Sequence, residues 1–271
     1  MKRILLALVA AALPVLGHAQ AVTVKGSDTM VILAQRWAES YMKAQAGKRV
    51  QVTGGGSGIG LAALINGTTD IANASRSIKD SEIAKVRDRF NVLPTEIAVA
   101  KDGVALYVNE ANAVDTLTIA QLKAIYTGDV TNWKEVGGPD AKIVLYSREN
   151  SSGTYVFFKE NVLGGADYAA NAQTLPGTAA VVNAVAKEKF GIGYGGAAYA
   201  KGIKEVKVVG KDGKGWLPNA ENVAAGTYPL SRKLFMYTRG KPSGDAKAFI
   251  DYCLSPEGQK VVTEVGYFPV K

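Results

Sequence analysis

Three times along this chain a short apolar strand runs into a loop of glycine, serine and threonine and then into a helix, and that repeated unit confines the fold to an α/β architecture. Val22 to Lys25 leads through Gly26-Ser27-Asp28-Thr29 into a helical pattern from Met30 to Ala44, where Val31, Leu33, Ala34, Trp37, Ala38 and Tyr41 recur at three- and four-residue spacing. Val50 to Thr53 leads through Gly54 to Gly60 into a short helix, Leu61 to Ile65. Ile143 to Tyr146 leads through Ser147-Arg148-Glu149-Asn150-Ser151-Ser152-Gly153-Thr154 into an apolar helix from Tyr155 to Leu163. A fourth loop, Asn73-Ala74-Ser75-Arg76, follows the strand that starts near Asp70 and adds a guanidinium. In open α/β sheets ligands sit outside the carboxyl ends of the strands, which is where such loops lie.

The remaining pattern extends the same design. Glu96 to Ala100, Val104 to Asn109, Lys142 to Tyr146, Phe190 to Tyr194, Val206 to Val209 and Leu230 to Tyr237 read as strands, and Ser81, Thr118 and Pro176-Gly177-Thr178 open helices. Two C-terminal helices span Gly244 to Leu254 and Pro256 to Val265. The alternation predicts a mainly parallel sheet. Strands near 104–109 and 230–237 serve as crossovers, so a first, discontinuous lobe covers 22–103 and 231–271 and a second covers 104–230.

At the amino terminus, Met1-Lys2-Arg3, an apolar run from Ile4 to Leu16 and Gly17-His18-Ala19-Gln20-Ala21 make a secretory leader over residues 1–21, cleaved after Ala21 or Ala19. The export compartment would permit a disulfide, but Cys253 is the only cysteine and reads as a buried helix residue. Loss of Lys2 and Arg3 leaves 30 basic against 24 acidic residues, a net charge of +6. That excess suits a small anion, and without a basic run it argues against nucleic acid. His18 is the only histidine and departs with the leader, which excludes histidine-based hydrolase triads and histidine-bearing zinc sites.

The loops are rich in anion donors. The first N–H groups of each helix, the hydroxyls of Ser27, Thr29, Ser57, Ser75, Ser151, Ser152 and Thr154, and the guanidinium of Arg148 can converge on one anion. Each helix start favours a negative charge by about 0.3 to 1 kcal/mol when exposed and up to about 2 when partly buried. Competing roles remain open at this level: Ser152 or Thr154 as a helix cap, and the glycines from Gly54 to Gly60 as packing residues. A nucleotide loop is excluded, because no Gly-Lys-Ser/Thr ending follows Gly54 to Gly60. A phosphatase reading lacks a nucleophile with its base and lacks a metal cage. Trp37, Trp133 and Trp216 read as packing residues.

Taken together, Val24 to Met30, Gly54 to Gly60, Asp70 to Arg76 and Ser147 to Thr154 resemble, in order, the motifs of the phosphate-binding protein of the bacterial ABC phosphate importer. The similarity continues through Leu117 to Gly138 and Gly191 to Tyr194 and covers nearly all of the chain after the leader. The resemblance implies a two-lobe type II periplasmic binding-protein fold with a hinge of crossover strands. It also implies a periplasmic, non-enzymatic monomer that needs no cofactor, closes on inorganic phosphate and delivers it to the transmembrane subunits of an ABC permease. Carried over by position, Thr29, the Met30 backbone N–H, Ser57, Arg148, Ser152, Gly153 and Thr154 would hold the anion, with Ser27, Ser75 and Ser151 beside them. Asn150 stands where many relatives place an aspartate next to the arginine.

One position departs from the family. Well-known members of the family end this fourth loop Ala-Ser-Asp, and that aspartate accepts the proton of HPO₄²⁻, whereas this chain ends it Ala74-Ser75-Arg76. A guanidinium is never an acceptor, so Asp28 or Glu149 is expected to replace the aspartate, Asp28 being the nearer in the first anion loop unless it only caps the helix. Arg76 is then either a second phosphate ligand or a solvated residue. A different oxyanion, such as sulfate, molybdate or tungstate, is the alternative cargo.

Overall fold

The computed structural model describes residues 21–270; apart from Ala21, the expected leader lies outside the described residues. In chain order the strands are β1 (Val22–Gly26), β2 (Val50–Thr53), β3 (Ile71–Ala74), β4 (Pro94–Val108), β5 (Thr116–Leu117), β6 (Val144–Arg148), β7 (Gln173–Leu175), β8 (Gly191–Gly196), β9 (Lys204–Val209), β10 (Gly215–Trp216) and β11 (Ser231–Arg239). The helices are α1 (Val31–Ala44), α2 (Ser57–Asn66), α3 (Asp80–Phe90), α4 (Ile119–Thr127), α5 (Gly153–Asn161), α6 (Gly177–Lys187), α7 (Ala220–Ala225), α8 (Gly244–Leu254) and α9 (Pro256–Val265).

The strands run side by side in the order β2-β1-β3-β11-β4-β8-β6-β7, with β9 also on β4 and carrying β5 and β10. In the first lobe β1, β2 and β3 are parallel; in the second β6, β7 and β8 are parallel. The two sets run in opposite senses, and the ends of both face the crossover of β4 at Gly103 and Val104. The sheet as a whole is mixed rather than mainly parallel, because β11 runs against β3 and β4, and β4 runs against β8 and β9. β4 pairs with β11 as far as Gly103 and with β8 from Val104 onward.

That strand also corrects the expected break between Ala100 and Val104. Lys101-Asp102-Gly103 looks like a polar interruption, yet Asp102 lies opposite Arg232 of β11. Arg232 Nε and NH2 both donate to Asp102 Oδ2, at 3.0 and 2.7 Å. A buried acid with a matched guanidinium continues a strand that a lone acid would end.

Apolar faces close each lobe. Leu33, Trp37 and Tyr41 of α1 pack with Phe249 and Cys253 of α8 and Val262 of α9, and on the opposite face Leu61 and Leu64 of α2 meet Phe235 and Tyr237 of β11. The second lobe gathers Leu106, Leu122, Tyr126, Trp133, Phe158 and Tyr194 on one face and Tyr107, Tyr146, Val181 and Val185 on the other. Each such side chain, fully buried, stabilises by about 1.5 to 3 kcal/mol. Cys253 is fully buried, and burial raises its thiol pKa well above the usual value. Helix α2 starts at Ser57, four residues before the expected Leu61. Its glycines permit this: a Cβ at Gly60 would lie 2.4 Å from the Lys25 carbonyl oxygen, so α2 seats directly on β1.

Candidate functional site

Strand ends from both lobes meet at one buried cluster of hydroxyls. From the first lobe, Ser27 and Thr29 follow β1, Ser57 opens α2 and Ser75 follows β3, and none is more than 2% exposed. Ser27 Oγ donates to Ser75 Oγ (3.0 Å), and the Ser75 N–H donates to Ser57 Oγ (3.0 Å). Met30 differs from its expected role: its N–H donates to the Ser27 carbonyl (3.0 Å) inside a 3-10 turn, and its side chain lies in the core.

The second lobe supplies Arg148 at the end of β6 and the first turn of α5. Arg148 is 1% exposed, and each arm of its guanidinium is held. Nε donates to Glu149 Oε2 (3.2 Å), NH1 to Thr178 Oγ1 (2.9 Å) and NH2 to Asp28 Oδ2 (2.9 Å). Ser152 is the N-cap of α5, its Oγ accepting the N–H groups of Thr154 (3.2 Å) and Tyr155 (3.3 Å). The cap reading and the site reading are thus compatible, since an accepting hydroxyl still has its own proton to donate. The Gly153 N–H is among those a helix start leaves without an intrahelical partner. Behind the loop, Ser147 Oγ lies 2.9 Å from Tyr194 Oη, and the Tyr194 ring stacks on Phe158 at 4.0 Å. Burial pushes the Tyr194 phenol up to about 12, which keeps it a neutral hydroxyl.

Across the cleft the lobes touch through these same residues. Thr29 Oγ1 lies 2.7 Å from Thr154 Oγ1, the Gly58 N–H donates to the Ser151 carbonyl (2.8 Å), and Asp28 pairs with Arg148. A Cβ on Gly153 would stand 2.3 Å from Ser57 Oγ and 2.7 Å from Ser75 Oγ, so only glycine allows this approach. Asp28 is a strut and not the N-cap: Oδ1 accepts the Gly55 N–H (2.7 Å), Oδ2 accepts Arg148, and its carbonyl accepts the Tyr199 hydroxyl (2.7 Å). Burial pushes that phenol up to about 12. Asp28 is thus a carboxylate partner of Arg148 from across the cleft; Asn150 is exposed.

Arg76 is not part of the cluster. Its NH1 and NH2 fork onto Glu82 Oε2 (2.8 Å) and Oε1 (2.7 Å), on the first turn of α3. Burial alone would raise the Glu82 carboxyl, but Arg76 and the Lys79 N–H outweigh it and hold the pKa below the usual glutamate value. Ser151 faces the cleft through its backbone, half-buried.

Two groups escaped the sequence reading. Thr178 is the second residue of α6, after Pro176-Gly177, the same loop-to-helix signal as the others, and the Gly177 N–H donates to Glu149 Oε1 (3.2 Å). Arg232 gave no local signal, because its place depends on the register of β11 on β4. Its NH1 donates to the Ser75 carbonyl (3.0 Å) and NH2 to Thr154 Oγ1 (3.0 Å). Burial raises the Asp102 carboxyl pKa, and the Arg232 charge works against that rise. Among the described residues no group of three or more His, Cys, Asp or Glu is placed to hold a metal.

Two α/β lobes joined by crossover strands, with helix starts from both facing a buried arginine, define the two-lobe class of solute-binding proteins. The family model described as "PBP superfamily domain" matches residues 12–257. The phosphate-binding protein PstS of Pseudomonas aeruginosa is 35% identical over 263 residues, covering 90% of this chain and 81% of that protein. PstS of Staphylococcus aureus is 36% identical over 252 residues, covering 89% and 76%. A putative phosphate ABC transporter substrate-binding protein from Clostridium perfringens, solved with bound phosphate, superposes with a TM-score of 0.84 at 32% identity, covering 93% of this chain and all of that one. The chain belongs to the PstS family of phosphate-binding proteins within the PBP superfamily.

Proposed function

We infer that this protein is an extracytoplasmic solute-binding protein that captures inorganic phosphate between its lobes and hands it to the transmembrane subunits of an ABC importer. The observation that carries this reading is the buried cluster of Thr29, Ser57, Ser75 and Thr154, all at most 2% exposed and drawn from both lobes, with the equally buried Arg148 tied to its edge through Asp28. An anion entering the cluster exchanges hydroxyl-to-hydroxyl contacts for charge-assisted bonds, which are the stronger kind. Thr29, Ser57, Arg148, Ser152, Gly153 and Thr154 are the proposed ligands, with Ser27 and Ser75 supporting them. Asp28 lies beside Thr29, and each of its oxygens keeps a lone-pair site beyond the bonds already made. It is the proposed acceptor for the proton of HPO₄²⁻, a role that sulfate cannot use. Glu149 instead steadies Arg148 and the start of α6.

We place the lobe boundaries at 103/104 and 230/231, a division supported by the change of partner on β4 between Gly103 and Val104 and by the start of β11 at Ser231. Export, removal of the leader and a periplasmic, monomeric, non-catalytic life complete the reading. Titration calorimetry of the processed protein with phosphate, sulfate and molybdate tests it: phosphate binds at micromolar concentration or tighter, and no heat with phosphate refutes it. Arg76 in place of the family aspartate favours a second reading, another oxyanion as cargo. Phosphate binding undiminished by excess sulfate or molybdate excludes that one.

A further inference from the structure

Among the described residues, Arg232 is the one buried guanidinium near the hydroxyl cluster that comes from neither anion loop. It stands at the start of β11 and touches three parts of the molecule. Nε and NH2 hold Asp102 on β4, NH1 holds the carbonyl of Ser75 at the end of β3, and NH2 reaches Thr154 Oγ1 on the first turn of α5. Its guanidinium lies over the Phe157 ring at 5.2 Å. On its outer side is a cavity of about 270 Å³ lined by Ser75, Arg76, Phe157, Arg232, Lys233 and Phe235. Arg232 thus stands as a wall between that cavity and the buried hydroxyls.

A count of protons shows what this contact does. A threonine hydroxyl has one proton and two acceptor lone pairs. Arg232 occupies one lone pair of Thr154, and the Thr29 hydroxyl is 2.7 Å away. If Thr29 donates to Thr154, both Thr154 lone pairs are filled and its own proton is left for the anion. If Thr154 donates instead, the Thr29 proton is left. In either arrangement Arg232 removes an acceptor from the pair and biases it toward donation.

We propose that Arg232, anchored by Asp102, is a positioning residue for the anion: it sets the Thr29–Thr154 pair as a donor and ties it to Ser75 at the junction of the lobes. The contact to Thr154 forms only when the lobes are together, so closure and the setting of the donor are one event. This inference rests on the phosphate reading above.

Two substitutions in the processed, full-length protein test it, each read by calorimetry with inorganic phosphate alongside a thermal melt. Arg232→Lys keeps the charge but loses the fork, and phosphate affinity falls about tenfold or more. Asp102→Asn loosens the anchor while the guanidinium stays charged, and phosphate affinity falls less, about threefold. Because Arg232 acts through Thr154, the losses are not additive: in a Thr154→Val background Arg232→Lys costs less than about twofold more, whereas a purely structural role gives the same loss in both backgrounds. An affinity within about twofold of native in Arg232→Lys, or additive losses in the double variant, overturns the proposal; where Arg232→Lys does not fold, the same cycle run with Asp102→Asn decides. A native protein that fails to bind phosphate refutes the underlying reading instead, so the two failures are distinct.

Discussion

The loops after β3 and β6 begin alike and end differently. Each leaves a buried strand with a serine and an arginine, Ser75-Arg76 in one and Ser147-Arg148 in the other. Arg148 turns into the cleft, where Asp28, Glu149 and Thr178 hold its three arms. Arg76 turns away onto Glu82 of the helix that follows. The helix decides: Glu82, on the first turn of α3, takes Arg76 and also accepts the Lys79 N–H at 2.8 Å. α5 opens with Gly153 and Thr154 and offers Arg148 no such acid, so Glu149 takes only its Nε and a second carboxylate, Asp28, reaches it from the other lobe. An arginine at a strand end is therefore free to turn into the cleft only if the next helix does not claim it.

The strongest way to break this contrast is to remove each arginine in turn. Arg148→Ala should weaken phosphate binding about a hundredfold or more, since it also leaves Asp28 and Glu149 facing the anion unpaired. Arg76→Ala should stay within about threefold of native in the same titration. A smaller effect sharpens the cross-lobe side of the comparison. Asp28→Asn should cost about tenfold in phosphate affinity and narrow the preference over sulfate, because an amide can donate to a fully ionised anion; competition titration measures both.

Stability against pH gives the smallest effects, and two acids should move in opposite directions. The Glu82 pKa is held down, so the Arg76 pair stabilises above the usual glutamate pKa and the benefit is lost as pH falls through the lower folded value. Arg76→Ala should therefore lower the melting temperature at pH 7 but not in strong acid. Glu205 on β9 is the reverse. Burial pushes it up to about 7, and its Oε1 has no hydrogen-bond partner. Its proton favours folding at low pH, and that benefit is lost as pH rises through about 7. Glu205→Gln should raise the melting temperature at pH 8 and leave it unchanged at pH 4.

Much of the site was legible because its signals are local. Glycine, serine and threonine between an apolar strand and an apolar helix mark a helix start wherever they fall, and Ser27, Thr29, Ser57, Ser75, Ser152, Gly153 and Thr154 all reach the same cluster. Glu82, six residues beyond Arg76, was a local signal too, and weighing it would have separated the two arginines. Other features were not local. Asp102 and Arg232 lie 130 positions apart and meet only through the β4–β11 register, so the unbroken β4 and the second guanidinium could not be read from either segment. The antiparallel course of both crossover strands was hidden for the same reason.

The most direct test of the account is a crystal structure of the processed protein with phosphate bound. Phosphate oxygens are expected within hydrogen-bonding distance of Arg148, Thr29, Ser57 and the start of α5, with Arg76 still paired to Glu82. Phosphate held by Arg76, or lying outside the Thr29–Thr154 cluster, would contradict it.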